Sequence, residues 1–125
     1  MTGEQRRHRR RWRDYSTLAG HRPVKEFIDQ LADEDVAEVV SAMKEVERHG
    51  LVAARHLRGD IYEVHADAPS QTFRILFAPE GRYHQVLLAL VGFSKKTQKA
   101  PPAIIALAER RLLDWRQRGA RHRRT

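Results

Sequence analysis

A chain of 125 residues suffices for one domain with a single modest core, and its 41% hydrophobic content, with two Trp, four Phe and three Tyr, belongs to a globular sequence. The formal charge is +8, cysteine is absent, and no apolar run approaches the ~20 residues of a membrane helix. Disulfide scaffolds, thiolate metal sites and helical membrane spans are therefore excluded. The N-terminal charge run is followed by no apolar segment, so no secretory signal is expected and the cytoplasm is the expected compartment.

The basic excess is uneven. Residues 1–13 carry six Arg against one Glu, and residues 109–125 carry seven Arg against one Glu and one Asp. Residues 14–108 hold eleven basic and thirteen acidic side chains. Such ends suit a polyanionic partner, and a merely solvated tail is the plain alternative for each. The expected division is a basic N-terminal tail over 1–11, one domain over 12–118 and a basic C-terminal tail over 119–125.

In chain order, Trp12 to Thr17 suggests a short first strand. Gly20-His21-Arg22 is a turn, and Pro23 suits the opening of a helix because its missing N–H has no intrahelical partner there. Val24, Phe27, Ile28 and Leu31 form one apolar stripe. Asp33 can cap a second helix, with Glu34 and Asp35 placed well against the dipole. Its stripe is Val36, Val39, Val40, Met43 and Val46, and Gly50 is its stop. The two helices are expected to form a hairpin on one sheet face.

Three β-rich runs follow, Leu57 to His65, Phe73 to Phe77 and Val86 to Phe93, and read as an antiparallel meander. Its turns fall at Asp67 to Gln71 and Pro79 to Arg82. The third run is nearly all apolar and should be the most buried. Alternation puts Tyr62, Val64 and Ala66 on one face and Ile61, Glu63, His65 and Asp67 on the other. Pairing His65 with Thr72 would set Glu63 directly opposite Arg74, a register that a one-residue slip would undo. Arg55, His56 and Arg58 flank the first run, and Lys95, Lys96 and Lys99 close the third. Pro101-Pro102 opens a last helix whose stripe is Ile104, Ile105, Ala108, Leu112 and Trp115.

Leu57-Arg58-Gly59-Asp60-Ile61-Tyr62-Glu63-Val64, Phe73-Arg74-Ile75-Leu76-Phe77 and the ending Phe93-Ser94-Lys95-Lys96-Thr97-Gln98-Lys99-Ala100-Pro101, with Pro23 to Phe27 upstream, stand in a distinctive order. This order resembles the RelE/ParE superfamily of bacterial toxins, nearest to its HigB-like, phage-derived branch, over roughly residues 12–118. The resemblance implies an α+β fold: a small antiparallel sheet, made of a short N-terminal strand and a three-strand meander, with an N-terminal helix hairpin and a C-terminal helix. It also implies a type II toxin that cuts mRNA on the ribosome and is silenced by a helix-turn-helix antitoxin, touching DNA only through that complex. By position Glu63 and His65 match strand sites that other members fill with catalytic lysines. Arg74 matches a strand arginine, and Lys95 and Lys96 a further basic site. Arg55, Arg58 and Lys99 would then bind RNA. Thr97 and Pro101-Pro102 stand where some members carry a functional Tyr or His, so the resemblance names no general acid.

The chemistry is consistent with that set. Cleavage of RNA by its own 2′-hydroxyl needs a base, positive charge on the phosphorane and a proton for the leaving 5′-oxygen. Glu63 and His65 can serve proton transfer, Arg74 offers a two-pronged phosphate contact, and the lysines add point charge. No metal or other cofactor is required, and the histidines show no metal-ligand spacing. The plain alternative for Glu63 and Arg74 is a half-exposed cross-strand ion pair worth only ~0.2–1 kcal/mol. Other readings are a ParE-like, non-catalytic inhibitor of DNA gyrase, and an inactive domain that only binds antitoxin or nucleic acid.

Overall fold

The computed structural model describes residues 9–69, 71–94 and 99–124. It is a five-stranded sheet in the order β1-β5-β4-β3-β2, carrying two helices on one face and a long third helix on the other. The strands are β1 (Arg11–Asp14), β2 (Arg55–Arg58), β3 (Ile61–Asp67), β4 (Thr72–Glu80) and β5 (Val86–Ser94). The helices are α1 (Pro23–Asp29), α2 (Asp33–His49) and α3 (Pro102–Arg124). β1 runs parallel to β5, and every other pairing is antiparallel.

The expected α+β layout therefore holds, with one strand more than the sequence suggested. The stretch before Ile61 is a hairpin, because Gly59 adopts φ +54° and turns β2 back along β3. β1 starts one residue earlier than expected and ends at Asp14, although the Tyr15 N–H still reaches the Ala89 carbonyl. Pro79 is not a turn residue: it sits inside β4, opposite Leu87 and beyond the last β3 partner, where no neighbouring strand needs its missing N–H.

Strand alternation makes two cores. Val64, Ala66, Phe73, Ile75 and Phe77 meet Val24 of α1 and Val39, Met43 and Val46 of α2. Phe27 packs edge-on to Phe73 and lies so close to Gly92 that a Cβ there would stand 2.4 Å from its ring. The acids in the first turn of α2 complement its dipole, but Asp33 is its first helical residue and not its cap. Ala32 caps it without a side-chain hydrogen bond. At the other end Gly50, at φ +78°, closes α2 as expected.

On the opposite face Ile61, Leu76, Ala78, Leu88 and Leu90 pack under Ala108 and Leu112 of α3, with Ile104, Ile105 and Trp115 alongside. Polar clasps hold α3 down. Arg58 grips Glu109 at 2.6 Å, Arg111 donates to the Leu90 carbonyl at 2.7 Å, and Arg116 bridges Glu80 and Asp60 at 2.6 and 3.0 Å. Asp114 accepts from the Tyr15 hydroxyl at 2.6 Å and from Arg118 at 2.8 Å. The helix also passes straight through Gly119 to Arg124, where the sequence suggested a tail.

Candidate active face

The β3–β4 register is His65 opposite Arg74, Glu63 opposite Leu76 and Asp67 opposite Thr72. The expected pairing of His65 with Thr72 is thus off by two residues. An even slip leaves every side chain on its expected face, so Glu63 and Arg74 still meet, but diagonally. Arg74 Nη1 donates to Glu63 Oε2 at 3.3 Å. Their side chains are 3% and 2% exposed, so this is no half-exposed surface pair. α3 packs on the same sheet face, over Ile61 and Leu76.

β2 extends the set, because Arg55 is registered directly opposite Glu63 and so shares its face. His65 is half exposed, with Nε2 3.3 Å from Asp67 Oδ1, and Thr72 donates its hydroxyl to the same oxygen at 3.1 Å. The result is a graded arrangement: a buried carboxylate–guanidinium pair, an arginine beside it, and a solvent-facing imidazole backed by a carboxylate. An imidazole in that position can exchange protons with a bound substrate, while the buried pair fixes the strand beneath it.

The structure brings together Arg55, Glu63, His65 and Arg74. Arg58 does not join them, because its guanidinium is turned to Glu109, which lowers the Glu109 carboxyl pKa through that hydrogen bond and raises that of Arg58. Lys95 and Lys96 lie outside the described residues. Lys99 is exposed just before the buried Ala100. Asp67, expected in the turn, closes β3 two residues beyond His65 on the same face, a partnership that the period of two encodes.

A separate cleft of about 260 Å³ opens at the far end of β3 and β4, between Asp60, Tyr62, Glu80, His84 and Arg116. Arg116 already spans both of its carboxylates. Among the described residues no three His, Asp or Glu side chains are grouped to hold a metal ion, and no helix is long and apolar enough to cross a membrane.

A short parallel N-terminal strand, a meander, a helix hairpin on one face and a terminal helix on the other define a RelE-type toxin fold. A family model described as phage derived protein Gp49-like (DUF891) matches residues 26–113, well over half the chain. Proteins from two strains of Mycobacterium tuberculosis, each named probable endoribonuclease HigB1, are 33% identical over 110 residues, covering 85% of this chain and 85% of each relative. The chain belongs to this phage-derived Gp49-like family, in the HigB-like branch of the RelE toxin superfamily.

Proposed function

We propose that this chain is the toxin of a type II toxin–antitoxin pair and an endoribonuclease that cuts mRNA on the ribosome. The observation that carries the reading is the convergence of Arg55, Glu63, His65 and Arg74 on one sheet face, in a chain whose relatives are named probable endoribonucleases. His65 is the group that exchanges protons with RNA, since it is the solvent-facing acid–base side chain of the set. Glu63 and Arg74 hold the face in shape as a buried, mutually neutralising pair. Arg55, with Lys95 and Lys96, binds flanking phosphates. These side chains suffice for cleavage through the 2′-hydroxyl. The partner that silences the toxin is a helix-turn-helix antitoxin in the cytoplasm, and DNA is met only through their complex.

Primer extension on a reporter mRNA in a purified translation system tests this, with wild type beside His65→Ala. Discrete cuts that need ribosomes and disappear in the variant are the expected result. An absence of cuts from wild type, with gyrase-dependent DNA damage in cells, would move the assignment to a non-catalytic gyrase inhibitor.

A further inference from the structure

Several arginines elsewhere on the fold are committed. Arg22, Arg58, Arg116 and Arg118 each reach a carboxylate, and Arg10 and Arg111 each donate to a main-chain carbonyl. Arg82 and Arg110 are also exposed without such a contact among the described residues, each at a separate place, whereas Arg9, Arg11 and Arg13 fall at alternate positions of one stretch. All three are exposed, and their guanidinium groups make no hydrogen bond or ion pair among the described residues.

Strand alternation explains their direction. Trp12 turns toward α2, donating its indole N–H to the Met43 carbonyl at 2.8 Å and packing edge-on to Phe77. Arg11 and Arg13 therefore project on the other face, where Leu88, the register partner of Arg13, belongs to the α3-side core. β1 is an edge strand, bonded to β5 alone. Alternate side chains on it stand about 6.6 Å apart, which makes a one-sign row along an open margin. No exposed apolar side chain interrupts that row. The aromatic or aliphatic anchor around which protein interfaces concentrate their energy is missing there, so a polyanion fits it better than a folded partner.

We propose that Arg11 and Arg13, with Arg9, form a phosphate-binding row that holds the RNA backbone away from the Glu63–His65–Arg74 face. The proposal rests on the endoribonuclease reading, because it takes RNA as the polyanion. The row and that face lie on the same side of the sheet. Three strand spacings across and five residues along, from Leu88 to Phe93, put them on the order of 20 Å apart. α3 packs on the sheet between them, so an RNA strand of several nucleotides that passes around the helix reaches from the row to the face that cuts it.

The test is equilibrium binding of a short fluorescein-labelled single-stranded RNA to the full chain, followed by anisotropy over a salt series. A His65→Ala background keeps the RNA intact. Replacing Arg9, Arg11 and Arg13 together by Ala is expected to make the plot of log affinity against log salt shallower by about 2, at ~0.7 per lost phosphate contact. A charge-matched triple on the helical layer, Lys25→Ala with Lys44→Ala and Arg48→Ala, should leave the slope near that of the parent. An unchanged slope in the β1 triple, or an equal loss in both triples, overturns the proposal. This readout does not depend on cleavage, so a toxin that fails to cut mRNA leaves the binding result standing by itself.

Discussion

Arg74 and Glu63 form a diagonal ion pair across β3 and β4, Nη1 to Oε2 at 3.3 Å, with both side chains almost wholly out of water. Each partner depends on the other. Breaking a buried pair from one side is strongly destabilising, so Glu63→Leu or Arg74→Met alone should cost ~3–5 kcal/mol of stability. Replacing both with apolar residues, Glu63→Leu with Arg74→Met, should recover most of it. Urea unfolding of the four proteins of this cycle measures the coupling, and additive losses would show that the pair is not a unit. Loss of toxicity in Arg74→Ala alone therefore does not separate chemistry from unfolding.

His65 offers that separation. It is half exposed and touches Asp67 at the surface, so His65→Ala should shift stability by no more than about 0.5 kcal/mol. Cleavage in a translation system should nonetheless fall by roughly 10²–10⁴-fold, the range that general acid–base groups contribute. Retained cleavage in the folded variant would remove His65 from the site and leave Glu63 to be tested.

Gly92 is required by a neighbour and not by its own backbone. A Cβ there would stand 2.4 Å from the Phe27 ring, which packs on Phe73 from α1. Gly92→Ala should destabilise the fold by ~1–3 kcal/mol, the usual range for overpacking a filled core. A second change, Phe27→Leu, should return part of that loss, as chemical denaturation would reveal.

Tyr15 should make the domain sensitive to alkali. Burial, and then the hydrogen bond to Asp114, raise its phenol pKa above the ordinary value of 10.0. A group whose pKa is raised by folding contributes stability that is present below the unfolded pKa and lost as pH climbs through the folded one. Stability should therefore fall above about pH 10, with one tyrosine ionising late in an ultraviolet titration. Tyr15→Phe should abolish both the late step and this part of the alkaline loss.

The fold was legible where periodicity is local. The stripes of α1, α2 and α3 all face cores, and alternation on β3 and β4 sorted Glu63, His65 and Arg74 correctly even though the register was two residues off. Parity survives an even slip, which is why the face was readable and the direct partner was not. β-rich residues flank Gly59-Asp60 on both sides and suggest one continuous strand, whereas the positive φ of Gly59 makes it a hairpin turn. The burial of Glu63 and Arg74 was not legible. Alternation assigns a side chain to a face and does not say how deeply that face is covered.

The parallel partnership of β1 with β5 also dictates an order of assembly. β2, β3, β4 and β5 join neighbours through short turns, whereas β1 must find a strand made long after it. During translation the first strand emerges early and waits with both margins open until Val86–Ser94 follows it. The helix that covers Ile61, Leu76 and Leu90 is synthesised after all five strands. A nascent chain stopped before Val86 has no place to seat β1, and one stopped before Pro102 has no helix over the second core. Both faces of the sheet are covered only once α3 has left the ribosome.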